Sequence, residues 1–289
     1  MEIPPLETLF EQETGELLPL SGELARIFGQ LRLPLRREPA YVIGNFVSTL
    51  DGVTALNVEG HMSGGDISGF NPQDQALMGL LRAVADAVII GAGTMNVEVE
   101  HLLTSEDIAP ELNPDYRELR RTLGKPEMPW NVIVTAHGRL DLELPKFQAG
   151  KVPVLIVTTG QGLARLRKQK WGPSTQVVAV QKEGQIAAKT ILATVHRICR
   201  GNIWLVEGGP RLLGDFLAEN CLDELFFTLA PQIAGRDEQT IRPGLVTGKV
   251  FAPRDPRWGK LIAIRRGGDH LFLRYRLKQG PEDANGAQK

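Results

Sequence analysis

Short apolar runs alternate along this chain with segments whose apolar positions recur every three or four residues, a rhythm that predicts strands interleaved with helices. The strands fall at residues 41–48, 87–91, 131–135, 154–158, 176–180, 203–207 and 224–230. Several are apolar at consecutive positions, as expected of strands covered on both faces. Helical spacing places helices over 73–84, 114–123, 162–169, 188–200 and 210–219; in the last, Leu212, Leu213, Phe216 and Leu217 share one face. The strand-helix alternation predicts an α/β fold built on a mostly parallel central sheet flanked by helices. Residues 261–266 and 271–277, joined by Gly267-Gly268-Asp269, predict a β-hairpin that adds an antiparallel C-terminal edge.

The ends of the chain read differently. Pro4, Pro5, Pro19 and Pro34 interrupt the first 38 residues, which predicts an arm or one or two short helices laid over the main body. Residues 279–289 hold too few apolar side chains to pack and are expected to form a disordered tail. Between them, residues 39–278 show neither an internal repeat nor a break in composition, and are expected to fold as one domain.

Composition narrows the function. Apolar residues make up 42% and charged residues 23%, the mix of a globular domain, and 33 Lys plus Arg against 34 Asp plus Glu leave no net field to attract a polyanion. A nucleic-acid or membrane-surface partner is therefore not expected, and a small-molecule substrate is. Cys199 and Cys221 form no C-x-x-C and have no nearby histidine pair, so they are expected as buried thiols, with no disulfide framework and no metal site. The first 20 residues lack a basic and apolar signal pattern, and the longest apolar stretch, 83–90, is interrupted by Asp86. A cytoplasmic protein with no membrane span is the expectation.

Three junctions behind predicted strands carry candidate chemistry, because ligands of open α/β sheets bind beyond the carboxyl ends of strands, where backbone N–H groups are free. At Glu207-Gly208-Gly209-Pro210-Arg211-Leu212, two glycines let a diphosphate approach the backbone and Pro210 suits the first turn of a helix; a tight turn with no ligand is the alternative. Gly91-Ala92-Gly93-Thr94 offers small residues and a hydroxyl, but Asn96 stands where a third fingerprint glycine would fall, so it reads equally as a turn. The third segment, 44–52, ends in Asp51-Gly52, where a carboxylate could orient a polar heterocycle or hold a proton, or could simply belong to a turn.

Taken in order, residues 45–52, Leu81-Arg82-Ala83 with 85–94, and 207–210 continuing into 222–225 and 229–231 resemble the reductase domain of the bifunctional riboflavin-biosynthesis deaminase-reductase. The resemblance runs from about residue 41 to 277 and implies the dihydrofolate reductase-like fold, a homodimer and NADPH as cofactor. It implies that Gly91, Gly93, Thr94, Gly208, Gly209, Pro210 and Leu212 hold the cofactor, with Thr135 and Thr158 towards its adenosine end. It also implies that Asp51 and Glu207 serve catalysis while Asn45, Ser48 and Arg82 contact the substrate. In that family the cofactor's hydride reduces a phosphorylated ribosylamino-pyrimidine at the sugar carbon.

The chain departs from the family pattern in three places. It lacks the His-x-Glu and Pro-Cys-x-x-C of the deaminase half, so it reads as a reductase domain alone. Residues 70–75 supply none of the basic side chains that grip the substrate phosphate, which leaves Arg82. Residues 95–100 replace the Asp-Asp-Pro that follows Gly-x-Gly-Thr. Ser63-Gly64-Gly65-Asp66 could offer backbone donors instead. His61, beside them, reads as surface, and Arg139 could reach a 2′-phosphate. A pterin reductase of the dihydrofolate reductase type and a non-catalytic nucleotide-binding dimer are the competing functions.

Overall fold

The computed structural model describes residues 2–61, 64–97 and 102–277. In chain order its strands are β1 (Glu7–Glu11), β2 (Glu16–Leu17), β3 (Arg32–Leu33), β4 (Tyr41–Ser48), β5 (Ala87–Gly91), β6 (Trp130–Thr135), β7 (Val154–Thr159), β8 (Thr175–Gln181), β9 (Ile203–Gly208), β10 (Glu224–Leu229), β11 (Lys260–Gly267) and β12 (His270–Arg276). The helices are α1 (Gly22–Phe28), α2 (Gly64–Ser68), α3 (Pro72–Val84), α4 (Ala92–Met95), α5 (Ser105–Ile108), α6 (Asn113–Thr122), α7 (Pro145–Gln148), α8 (Gly160–Leu166), α9 (Ala188–Ile198) and α10 (Pro210–Ala218).

One sheet runs in the order β1-β11-β12-β10-β4-β9-β5-β6-β7-β8. From β10 to β8 all neighbours are parallel, and β12, β11 and β1 are joined antiparallel on the other side. This is the mostly parallel, helix-flanked sheet with an antiparallel C-terminal hairpin that the sequence pattern predicts. Side chains on neighbouring positions of the central strands go to opposite cores. Ile43, Ile90, Ile133, Ile156 and Leu205 pack in the core beneath α1, α3 and α6; Val42, Ile89, Val132, Leu155 and Trp204 pack in the one beneath α9 and α10. At roughly 1.5–3 kcal/mol for each fully buried aliphatic side chain, these two layers fix the register of every central strand.

Element ends follow from caps. The Asn71 side-chain oxygen accepts from the N–H groups of Gln73 (2.9 Å) and Asp74 (3.0 Å), and Pro72 fills the first helical position, so α3 starts there. Its last carbonyls are taken by the Arg120 guanidinium, which donates to Ala83 (2.9 Å) and Ala85 (2.8 Å). The α8 helix begins two residues before the predicted start, because the Thr159 hydroxyl accepts from the Gly162 N–H at 3.1 Å. The α9 helix stops at Ile198, two residues early, before Arg200 (φ 53°) and Gly201 (φ 95°) turn left-handed.

The first 38 residues do more than lie across the surface. They form one short helix and contribute β1 as the sheet's outermost strand, paired with β11. Leu24, Ile27, Phe28 and Leu33 belong to the larger core, and the Gln73 side chain donates to the Pro4 carbonyl at 2.9 Å. The tail expected at 279–289 lies outside the described residues, as does Ser63 of the glycine-rich loop.

Candidate functional site

Strands β4, β9, β5 and β6 end at the same edge of the sheet, and their tips converge. The registers pair Ile90 with Gly208 and Gly91 with Val134, so the β9-α10 and β5-α4 junctions sit side by side. The register shifts between Ile89 and Ile90, leaving Glu207 as an extra residue on β9. A bulge of this kind re-aims a side chain, here towards α3.

The glycines at these tips are there for two different reasons. A Cβ on Gly209 would meet the Thr94 hydroxyl oxygen at 2.8 Å, and one on Gly208 would meet the Thr94 side chain at 3.2 Å, so close packing of Thr94 excludes side chains there. The peptide between the two glycines is cis. Gly93 has no such neighbour: nothing lies within 4 Å of a Cβ built on it, and its φ is not positive. Neither backbone nor packing calls for glycine at 93, while a side chain would project into the cleft, so the space beside it suits a bound group.

Two cavities meet across this junction. One, of about 290 Å³, lies between β4, α3 and the tip of β9; the other, of about 700 Å³, lies over the tips of β5 and β6 and the start of α10. Gly93, Thr94, Gly209, Pro210 and Pro243 line both. The larger is the size of a small-molecule site. Gly209 caps α10 without a side-chain bond, so the N–H groups of Arg211 and Leu212 in the first turn have no acceptor within the helix. Arg139 and Arg211 line the same cavity, are exposed, and form no carboxylate pair among the described residues. Uncommitted N–H donors, two free guanidinium groups and a glycine cradle form a donor set that fits a dinucleotide phosphate chain.

The structure brings together most of the residues singled out from the sequence. Asn45, Arg82, Glu207 and Gly208 line the smaller cavity, and Gly91, Thr135 and Leu212 the larger. Arg82 is not available as an anion clamp. Its Nε donates to the Glu207 carboxylate at 2.9 Å, its Nη2 lies 2.9 Å from Glu207 Oε2, and its Nη1 donates to the Thr104 carbonyl at 3.0 Å.

Three residues lie outside both linings. Ser48 is buried and donates to the Thr49 carbonyl (2.9 Å). Thr158 is fully buried and donates to the Thr135 carbonyl (2.6 Å), stitching β7 to β6 instead of facing the cleft. The Asp51 carboxylate accepts from the Thr49 hydroxyl (2.6 Å) and from the N–H groups of Ala234 (3.1 Å) and Gly235 (2.8 Å). Led by the Thr49 bond, these contacts hold its pKa down at about 2. The structure thus places the Asp51 carboxylate outside both cavity linings, where it latches the loop at Ala234 and Gly235. His61, outside both linings too, lies 2.9 Å from Asp66 through Nδ1.

Asp74 is the residue that the motifs did not flag. It lines the smaller cavity, is buried, and has its pKa raised by desolvation, against the opposing influence of the Thr228 and Ser68 hydroxyls and His270. The signal was present: with Leu77 and Leu81 it forms an i, i+3, i+7 stripe on α3, so a carboxyl group stands on the buried face of an amphipathic helix.

Residues 40–254 match the family model described as the RibD C-terminal domain. The 2,5-diamino-6-ribosylamino-4(3H)-pyrimidinone 5′-phosphate reductase of Archaeoglobus fulgidus is 26% identical over 173 residues, covering 60% of this chain and 74% of that protein. Among solved structures, a pyrimidine reductase-like protein of Corynebacterium diphtheriae superposes with a TM-score of 0.63 at 19% identity, over 83% of this chain and 93% of its own. RibD of Acinetobacter baumannii gives 0.55 at 23% identity, with this chain spanning 58% of its length. At these identities the structural likeness concerns the fold.

Proposed function

From the premise that the chain belongs to the RibD C-terminal domain family, we propose that it is a cytoplasmic, homodimeric, NADPH-dependent oxidoreductase that reduces a small pyrimidine-type substrate. The observation that carries this reading is the wall shared by the two cavities, Gly93-Thr94 against Gly209-Pro210. A dinucleotide laid in the larger cavity, with its diphosphate at the start of α10, can present its nicotinamide across that wall to a substrate in the smaller one.

Gly91, Gly93, Thr94, Gly208, Gly209, Pro210 and Leu212 hold the cofactor in this reading, with Thr135 towards its far end. Arg139 and Arg211 at the outer rim of the cavity meet the extra 2′-phosphate that distinguishes NADPH from NADH. Asn45 orients the substrate, and Glu207, fixed by Arg82, keeps the floor of the smaller cavity rigid. When bound, the dinucleotide supplies a hydride, and the reduced C=N or C=C unit takes one proton to balance it. The protein's task is then approach and exclusion of water: Phe46, Val47, Met78, Ile90 and Leu103 make much of the smaller wall apolar.

The test is twofold. Titrating the protein into NADPH should change the cofactor's fluorescence with saturation, and NADPH should be consumed in proportion to an added ribosylaminopyrimidine. Failure of NADPH to bind would remove the reading altogether.

A further inference from the structure

The larger cavity has one carboxylate in its wall, Asp215. It sits in the second turn of α10, four residues after Arg211 and so on the same face of the helix, about 6 Å further along its axis. Its side chain is only 8% exposed. Two neighbours hold it, both through Oδ1. The Gln185 amide nitrogen donates from the turn between β8 and α9, and the Lys249 ammonium group lies 3.1 Å away on the connection from β10 to β11. The second oxygen, Oδ2, has no partner among the described residues.

Both holders are themselves fixed. The Gln181 side chain donates to the carbonyls of Glu183 (2.8 Å) and Gln185 (3.1 Å), which closes the turn that carries Gln185. A Cβ on Gly214 would meet the Val246 side chain at 3.1 Å and the Lys249 stem at 3.2 Å, so the connection packs tightly on α10 beside Asp215. A carboxylate gripped through one oxygen presents the other in a set direction, and Lys249 supplies the counter-charge that burial demands. Such a group accepts and cannot donate, so it selects an N–H or O–H in whatever occupies the cavity.

Building on the reductase reading, we propose that Asp215 is a specificity-determining residue: its Oδ2 accepts from the exocyclic amine of the cofactor's adenine, so the site rejects a dinucleotide whose base carries a carbonyl in that place. The assignment follows from the rest of the cavity. With the diphosphate at the start of α10 and the nicotinamide directed across the shared wall, the adenosine half takes the remaining space, lined by Thr135, Gln185 and Asp215. Within that half a 2′-phosphate is repelled by a carboxylate and drawn to Arg139 and Arg211, which leaves the base for Asp215. Adenine presents an N–H donor at this edge; hypoxanthine, like guanine, presents an oxygen, which would set lone pair against lone pair.

Fluorescence titration of the full chain with NADPH and with its hypoxanthine analogue, which carries the same reduced nicotinamide as reporter, tests this. The parent should bind the analogue about tenfold or more weakly, the worth of one hydrogen bond to a charged group. In Asp215→Asn, whose amide can donate to the analogue's oxygen, the ratio of the two affinities should collapse towards one. Asp215→Ser, which removes the carboxylate without adding an amide, should lower it too. General damage to the fold weakens both cofactors together and leaves their ratio alone, and the ratio in the parent needs no variant at all. The proposal is overturned if the parent binds the two equally, as it would with Oδ2 on a ribose hydroxyl, or if both variants keep the parent's ratio. Equal and tight binding leaves the cofactor reading standing, whereas no binding of either dinucleotide removes both.

Discussion

The guanidinium of Arg82, in the last turn of α3, sits 2.9 Å from the carboxylate of Glu207 at the tip of β9, with both side chains almost completely out of solvent. Removing one member strands the other. Arg82→Met should therefore cost about 3–5 kcal/mol, and the double variant Arg82→Met/Glu207→Gln should recover a large part of the loss. Urea denaturation of the four proteins of this cycle measures it. Additive losses would mean that the pair is not coupled.

Gly93 and Gly209 should respond in opposite ways to the same substitution. Gly93→Ala meets open space at an ordinary φ, so stability should change by no more than about 0.5 kcal/mol while NADPH affinity falls. Gly209→Ala drives a methyl group against the Thr94 hydroxyl at 2.8 Å and should destabilise the fold by about 1–3 kcal/mol, with relief in a Thr94→Ala background. Thermal midpoints and cofactor titrations on the three variants separate the two roles.

What could be read from the chain, and what could not, divides along the range of the contacts. The two glycine junctions after β5 and β9 are local, since strand end and helix start lie within a few residues, and they appear where the pattern puts them. Thr158 shows the limit of alternation. In a strand buried on both faces, period two does not say which face looks into a cleft, and this hydroxyl went to the Thr135 carbonyl of the neighbouring strand. The surroundings of Asp51 could not be read from its own segment, because its carboxylate oxygens accept from N–H groups 183 and 184 positions away. The pairing of β1 with β11 likewise joins the two ends of the domain, and the exposed side chains of β1 give no apolar rhythm to betray it.

Cofactor choice should rest on Arg139 and Arg211. If they meet a 2′-phosphate, Arg211→Ala and Arg139→Ala should each raise KM for NADPH by about tenfold or more, the worth of one charge-assisted hydrogen bond, and leave KM for NADH as it was. Parallel assays with both cofactors decide this. Equal losses with NADH would place the arginines on the part that the two cofactors share.

The connection from β10 to β11 exposes Ile233 (75%), Ile241 (82%), Val250 (93%) and Trp258 (76%). Under the homodimer proposal these four side chains are the candidate contact surface. With a chain mass of 31.7 kDa, light scattering on a sizing column should report a particle of twice that mass. Ile241→Lys/Trp258→Lys should shift it to the single-chain mass, and a monomeric parent would exclude the homodimer.

Asp51 links acid stability to the wall of the cleft. Its bonds to the Thr49 hydroxyl and to the Ala234 and Gly235 N–H groups require the ionised carboxylate, and they hold the folded pKa near 2, below the ordinary 3.8. A carboxyl group lowered on folding contributes its stabilisation above the unfolded value and loses it as pH falls through the folded one. Between about pH 4 and pH 2 the segment that these bonds retain should therefore loosen. That segment carries Pro243, whose carbonyl accepts from the Thr54 N–H at 3.0 Å and which lines both cavities. Protection of the Ala234 and Gly235 amides against hydrogen exchange, taken relative to the intrinsic rate at each pH, should fall across this window in the parent. In Asp51→Asn that protection should already be low at neutral pH and show no such step. Because Asp51 touches neither cavity, NADPH affinity at neutral pH should fall less in this variant than in Gly93→Ala. The reverse order would return Asp51 to the ligand site.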